Sequence, residues 1–321
     1  MKAKPFIKWV GGKGQLIEQL DAQLPTDFDK WKDVTYIEPF VGGGAMFFYM
    51  LQTYPNIKKA VINDINPDLT MCYRVVRNQP EELIRSLQEI ECEYLALKTE
   101  DERKEFFLKK REVYNGKNLN PVDNTTIFFF LNRTCFNGLY RVNKKGEFNV
   151  PFGRYVNPTI CDSSTIMSDS ELLQNVEILT CDFEKTFEYA YGNTLFYFDP
   201  PYRPLSDTSS FNDYTKESFN DDAQRRLKCF CDKIDEAGYK FMLSNSDCKG
   251  KNETDNFFDV LYSDYHIQRV WASRSINANP NKRGKLTEIL VRNYYDCKKY
   301  NQSDLFSSNN LSVAEEKLKF E

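Results

Sequence analysis

The chain of 321 residues holds a single histidine, His266. That scarcity excludes a two-histidine zinc site and an HExxH motif, and it leaves a His-based triad only to His266 itself. Long hydrophobic runs are missing too: stretches such as Ile127–Leu131 fall far short of the roughly 20 apolar residues that span a bilayer. No apolar segment follows the positive start Met1-Lys2-Ala3-Lys4-Pro5, so no secretory signal is expected. The nine cysteines are odd in number and include no CxxC, since Cys229 and Cys231 have Phe230 alone between them. Reduced thiols in a cytoplasm are expected rather than a disulfide framework. Internal repeats and low-complexity tracts are absent as well.

What is present suffices for a large core. Hydrophobic residues make up 41% and aromatics 15%, with the 28% charged fraction of a soluble chain, enough for one large domain or two ordinary ones. The net charge of −4 does not advertise a polyanion partner. Its distribution is more telling. Glu81–Glu102 carries eight acids against Arg85 and Lys98, whereas Arg133–Arg154 has five cations against Glu147 alone. Arg269–Lys285 adds five cations and no acid. Two basic loops on an acidic protein can form one polyanion-binding face, although either alone reads as ordinary solvated charge.

Short strands are predicted at Tyr36–Phe40, Ala60–Asn63, Val176–Cys181, Leu195–Phe198, Lys240–Leu243, His266–Trp271 and Glu288–Tyr294. Helical spacing covers Gly14–Leu24, Ala45–Thr53, Pro67–Arg77 and Ser218–Ala237. Strand alternating with helix predicts an α/β fold with a doubly wound, mostly parallel, Rossmann-like sheet. The rhythm breaks at residues 76–175, which read as an inserted, mainly helical domain with a β-hairpin turning at Lys144-Lys145-Gly146. Residues 1–75 and 176–300 would then form one discontinuous domain, and 301–321 a tail without an assigned role.

Chemistry concentrates where strands end. Asp199-Pro200-Pro201-Tyr202 follows the strand Leu195–Phe198, and two prolines force the chain out of the sheet at its carboxyl edge, where such sheets bind ligands. A carboxylate, proline carbonyls and an aromatic face suit a planar amine; an N-capping aspartate in a Pro-rich exit is the plain alternative. Glu38-Pro39-Phe40-Val41-Gly42-Gly43-Gly44 gives a glycine turn between strand and helix, although its spacing is not GxGxxG, and no P-loop Lys-Ser/Thr follows. Asp64 ends the next strand, where a ribose diol is gripped in nucleoside-binding sheets. Lys8-Trp9-Val10-Gly11-Gly12-Lys13 is either an anion nest or a tight turn before a helix, and in Cys181-Asp182-Phe183 the aspartate is either a ligand group or a helix N-cap. Together, in this order, the glycine turn and Asp64 indicate a nucleoside-containing cofactor.

KWVGGK, EPFVGGG, NDIN, CDF and DPPY, in that order, resemble the Dam-type (alpha group) family of DNA adenine N6-methyltransferases. The likeness continues through Asn132–Arg141 and Gly146–Tyr155, similar to that family's DNA-reading hairpin, and through Ser244–Asp247, Ser273–Ile276 and Arg283–Ile289. It covers about residues 5–295; Val10 departs from it, standing where the family has Ala or Thr. The resemblance implies S-adenosylmethionine as cofactor and no metal. Trp9 and Lys13 would contact the cofactor, with Glu38, Pro39 and Phe40 through Gly42, Gly43 and Gly44 at its methionine end. Asp64 would hold its ribose, Asp182 and Phe183 its adenine, and Asp199 would border it. Asp199, Pro200, Pro201 and Tyr202 would be the catalytic set, acting on an adenine flipped out of duplex DNA.

For DNA readout the resemblance implies Lys8 on the first guanine of GATC, Arg141 on the guanine opposite the last cytosine, and Leu139 and Pro151 on the thymine side. Arginine makes bidentate contacts to guanine, and apolar groups meet the thymine methyl. Phe136 and Asn137 would fill the space the base vacates. Tyr155, Arg133, Asn143 and Arg154 complete the DNA-binding set, with Lys144, Arg274, Lys282 and Arg283 as phosphate contacts or solvated charge. Packing of the hairpin is the competing role for Phe136, Leu139 and Pro151. The partner expected is double-stranded DNA, with no membrane, a monomer in solution, and a place beside a cognate restriction endonuclease left open. The setting would be a bacterial cytoplasm, or a host cell if the gene is phage- or virus-borne. The main rival to GATC is a longer site beginning with GAT; an RNA or protein methyltransferase and a catalytically silent DNA-binding module are the alternatives in kind.

Overall fold

The computed structural model describes residues 2–9, 11–203, 219–249, 252–272 and 286–296. In chain order the elements are α1 (Ile17–Asp21), β1 (Val34–Glu38), α2 (Ala45–Thr53), β2 (Ile57–Asn63), α3 (Pro67–Asn78), α4 (Pro80–Ala96), α5 (Glu100–Asn115), α6 (Pro121–Thr134), α7 (Ser163–Leu173), β3 (Val176–Leu179), β4 (Thr194–Phe198), α8 (Asp221–Glu236), β5 (Lys240–Ser246), α9 (Phe257–Leu261), β6 (His266–Ala272) and β7 (Leu286–Arg292). All seven expected strands form, their ends shifted by no more than three residues. Strand β1 stops at Glu38 rather than Phe40 because Pro39 has no N–H to offer the ladder. The N-terminal helix is shorter than its pattern, since Gly11–Leu16 is taken up by turns and only Ile17–Asp21 winds into a helix.

Capping residues set the helix starts. Asn66 accepts from the N–H groups of Asp68 and Leu69, with Pro67 at the first helical position of α3, a cap worth about 1 kcal/mol. Thr99 and Glu102 form a reciprocal capping box at α5. Asn120 and Pro121 open α6 in the same manner as α3.

The strand order is β3-β2-β1-β4-β5-β7-β6. β1 pairs in parallel with β2 and β4, β2 with β3, and β4 with β5, while β7 runs antiparallel between β5 and β6. Alternate residues of one strand enter two different cores. Tyr36, Ala60, Leu195, Tyr197 and Met242 pack on one face with α2 and α3. Ile37, Val61, Phe196, Phe198 and Phe241 pack on the other with Leu227, Phe230 and Ile234 of α8. Burial on both faces is what a doubly wound sheet requires.

Helices α4, α5 and α6 join the first core rather than building one of their own: Leu83, Leu87, Ile90 and Tyr94 of α4, Phe107 of α5 and Phe128–Leu131 of α6 are continuous with it. α3 runs unbroken past position 76 to Asn78, so the helical segment begins after a helix end and not inside a linker. The hairpin is reduced to isolated antiparallel bridges, Val142 to Phe148 and Cys135 to Phe152, closed by a turn in which Gly146 N–H donates to Asn143. Among the described residues no helix is long and apolar enough to cross a membrane.

The chain leaves β1 toward β2 and β3 on one side and returns to place β4 and β5 on the other. The carboxyl ends of β1 and β4 therefore sit side by side where the order reverses, and a crevice opens at such a point.

Candidate active site

Asp199 leaves the end of β4 next to Lys13, whose ammonium stands 2.8 Å from Asp199 Oδ1 and 3.2 Å from Glu288 Oε2. Lys13 also donates to the Tyr202 hydroxyl at 2.5 Å, and that hydroxyl donates to Glu288 Oε1 at 2.8 Å. The Ser244 hydroxyl reaches Asp199 Oδ1 at 3.5 Å, with Tyr197 Oη 3.2 Å behind it. Burial lifts the Asp199 carboxyl to about 6, against the opposing pull of Lys13. Burial lowers Lys13, yet Asp199, the Tyr202 phenol and Glu288 together outweigh it and hold the ammonium well above the usual lysine range. The lysine side chain is 3% exposed, Asp199 24%, and Tyr202 37%. Thus the cation is sealed beneath, while the carboxylate and the tyrosine ring are reachable from outside. Behind the turn, the buried Gln224 of α8 donates to the Pro201 carbonyl at 3.2 Å and fixes its course.

The neighbouring strand ends carry the glycine turn. Asn63 is buried and donates to the carbonyls of Pro39 and Cys181, each at 3.0 Å, while its own side-chain oxygen accepts from Cys181 N–H. One amide thereby binds the exits of β1, β2 and β3 together. Asp64 takes the N–H groups of Gly42 at 3.2 Å and Asn66 at 2.9 Å, and burial nonetheless raises its carboxyl to about 6. Glu38, buried at the end of β1, receives the Tyr36 hydroxyl and is likewise pushed well above the carboxylate range by burial. Gly42 and Gly44 have φ of +48° and +74°, and a side chain at Gly44 would meet Tyr73 Oη at 2.6 Å. Trp9 lies against Gly42 and Gly43 and stacks on Tyr140, which anchors the N-terminal loop over this turn. Asp182 caps the 3-10 turn Phe183–Tyr189 through Glu184 N–H and pairs with Arg226, whose guanidinium also covers Phe183. Its capping role is therefore real, and the rings of Phe40 and Phe183 pack on each other with centroids 5.2 Å apart.

Residues 9–276 match the family described as D12 class N6 adenine-specific DNA methyltransferase. This chain belongs to that family. Among its relatives, Type II methyltransferase M.MjaIII of Methanocaldococcus jannaschii is 49% identical over 92% of this chain and 100% of its own length. Type II methyltransferase M1.LlaDCHI of Lactococcus lactis subsp. cremoris is 40% identical over 91% and 95%. A DNA adenine methylase of Haemophilus influenzae is 33% identical over 91% and 94%. The Dam resemblance thus holds at the level of the D12 class, and higher identity lies with relatives named as type II methyltransferases. The chain is an adenine-specific DNA methyltransferase.

Among the described residues, those expected to bind DNA sit on the N-terminal loop, at the end of α6 and on the hairpin. Lys8 holds its ammonium 5.1 Å over the Tyr155 ring, and Arg133 donates to the Phe6 carbonyl at 2.7 Å. Lys8, Arg133 and Tyr155 line one open pocket with Pro158 and Thr159. Arg141 is aligned by Asn149, which accepts Nε at 2.7 Å through its side chain and Nη2 at 3.3 Å through its carbonyl. Phe136 is 52% exposed, Asn137 is in the left-handed region at φ 56°, and the Pro151 carbonyl accepts Phe136 N–H. Leu139 is half-buried and Pro151 exposed. Asn143 is engaged within its turn, its oxygen accepting Lys145 and Glu147 N–H. Lys144 is exposed at the tip. Arg154 is exposed and pairs with Glu100. Arg274, Lys282, Arg283 and the tail lie outside the described residues, as does Val10.

Sequence reasoning missed Glu288 and Gln224. For Glu288 a signal existed: a lone acid inside the apolar strand Leu286–Arg292 needs a buried partner. Gln224 on a polar helix gave none.

Proposed function

We propose that this enzyme transfers a methyl group from S-adenosylmethionine to N6 of an adenine flipped out of duplex DNA within GATC. The observation that carries the reading is the cluster of Lys13, Asp199, Tyr202 and Glu288 at the end of β4, with an accessible carboxylate beside an accessible aromatic ring.

The donor set fits the cofactor. Glu38, Asp64, Asp182 and Asp199 stand at the exits of β1, β2, β3 and β4, a run of acids suited to a ribose diol and a cationic amino-acid end. Asp64 accepts two backbone N–H groups, and a carboxylate retains lone pairs for a diol beyond those. Trp9, Lys13, Glu38, Pro39, Phe40, Gly42, Gly43, Gly44, Asp64, Asp182, Phe183 and Asp199 would hold it, and when bound it supplies a methyl group already activated on sulfonium. The chain's own part is to bind and orient the amine. Asp199 and the Pro200 carbonyl accept the two N6 hydrogens, drawing the nitrogen toward a geometry with a free lone pair and stabilising the charge that develops there. Tyr202 stacks on the base, its ring angle set by Lys13 and Glu288. Phe136, exposed beside Asn137, fills the gap left in the duplex, and the cost of unstacking is a few kcal/mol.

Residues 76–175 act as the recognition domain in this reading. Lys8 addresses the first guanine, Arg141 the guanine opposite the last cytosine, Leu139 and Pro151 the thymine side. Lys144, Arg274, Lys282 and Arg283 contact the phosphates, and Arg133, Asn143, Arg154 and Tyr155 complete the DNA-binding set. The relatives named as type II methyltransferases favour a place beside a cognate restriction endonuclease.

The test is exposure of unmethylated plasmid and of a randomised duplex library to the purified enzyme with S-adenosylmethionine, followed by sequencing for N6-methyladenine. Methylated GATC is expected. Methylation confined to a longer GAT-beginning site would overturn the site assignment, and absence of N6-methyladenine would overturn the whole reading.

A further inference from the structure

We propose that Asn132 and Gly138 fix the register between the Lys8 loop and the hairpin, acting as positioning residues for the choice of DNA sequence. The proposal rests on the reading above that Lys8 addresses a base.

Asn132 lies in the last turn of α6 and is 2% exposed. Its side-chain oxygen accepts Lys8 N–H at 2.8 Å, and its amide donates to the Lys8 carbonyl at 2.8 Å and to the Gly138 carbonyl at 3.0 Å. One side chain therefore spends its acceptor and both donors on two segments, the Lys8 loop and the start of the hairpin, that are far apart in the sequence. Gripping Lys8 through N–H and C=O together fixes rotation about that residue, hence the direction in which its side chain leaves. An apolar contact would anchor the segment without setting that direction, because dispersion is not directional, whereas a buried amide tolerates only the arrangement that satisfies it.

Gly138 supplies the second, independent half. Its φ is +64°, and a Cβ there would stand 2.8 Å from Lys8 Cβ and closer still to Lys8 Cδ. The stem of Lys8 thus occupies the space a side chain at 138 would fill. It then runs to place the ammonium over Tyr155, whose carbonyl is held by the Tyr94 hydroxyl at 2.6 Å. Any side chain at 138 must push Lys8 away from that path.

The experiment takes the site the wild type itself prefers on a randomised duplex library, whichever that is. It measures kcat/KM there and on each single-base-pair variant for Asn132→Asp, Gly138→Ala, Lys8→Ala and the Lys8→Ala, Asn132→Asp double variant. Thermal unfolding is followed in parallel. At the base pair where Lys8→Ala removes discrimination, Asn132→Asp and Gly138→Ala should each lose about tenfold of it and leave the other positions unchanged. In the Lys8→Ala background, Asn132→Asp should change that discrimination no further. A uniform loss at every site, or an equal additional loss in the Lys8→Ala background, would make both residues merely structural and overturn the proposal. Should Asn132→Asp not fold, the Gly138→Ala profile decides between a loss confined to that base pair and a uniform loss that overturns the proposal. Unchanged discrimination in Lys8→Ala would remove Lys8 from the readout and the proposal with it, a failure visible in that variant alone.

Discussion

Replacing Lys13 by methionine keeps the length of the side chain and removes the ammonium that stands 2.8 Å from Asp199 and 3.2 Å from Glu288. At an effective dielectric constant of about 20, each of those contacts is a gross attraction of roughly 5–6 kcal/mol, offset in large part by desolvation. The net effect of one opposite charge at such range is a carboxyl pKa lowered by about 1–3 units. Asp199 sits at about 6 with Lys13 present, raised by burial and held down by that cation. Without it the carboxyl should move up to about 7–9, and Glu288 then adds like-charge repulsion in the same direction. In the proposed mechanism Asp199 works as the carboxylate, so the rate rises with pH through its pKa, and the inflection moves upward in the variant. With an inflection near 8, about a tenth of the enzyme is ionised at neutral pH. The loss would be about tenfold there and would fade near pH 10. The assay is single-turnover methylation of a duplex at saturating S-adenosylmethionine across the pH range. An unchanged inflection with the same drop at every pH would refute the reasoning and leave Lys13 as a cofactor contact only.

Three further outcomes are expected. Asp199→Asn keeps the shape but turns an amide toward Lys13; single-turnover methylation should fall by about 10²–10³. Duplex affinity should stay within about twofold, because phosphate contacts supply most of it; near-normal turnover would reduce Asp199 to a structural cap. Arg141→Ala should relax discrimination at one base pair by roughly 1–3 kcal/mol. Lys144→Ala should weaken binding to all sequences alike and flatten its salt dependence, and identical library profiles for both variants and wild type would remove Arg141 from the readout. Asp169 is fully buried in α7, accepts Lys4 N–H at 3.0 Å, and is pushed up to about 8 by burial, with Asp162 adding to the rise. A carboxyl raised on folding costs stability as pH climbs from its unfolded value of about 4 to its folded one, so the unfolded chain releases its proton first. Asp169→Asn lacks that cost, so its thermal midpoint should gain on wild type between about pH 5 and about pH 8; a difference independent of pH would contradict the assignment.

Much of the site was legible because its parts are local. Two prolines after an apolar strand must break the ladder, and Asp199 and Tyr202 follow from that break without knowledge of the rest of the chain. The glycine turn after β1 and the acid after β2 are equally short-range, as is the cap at Asp182. Strand and helix periods alone give the doubly wound sheet, because burial on both faces leaves continuous apolar runs.

Tertiary structure decided which local pieces meet. Lys13 is sequence-remote from both carboxylates it serves, and Glu288 reaches Tyr202 across 86 residues only because β7 inserts antiparallel between β5 and β6. No local period encodes that insertion. The role of Asn132 depends on a partner 124 residues away, and the shared core of α4–α6 with the sheet depends on side chains filling one face together. Propensity and turn chemistry act over a few residues and fixed the elements; the positions of buried charges and amides depend on which distant groups can satisfy them, and only the packed chain supplies those.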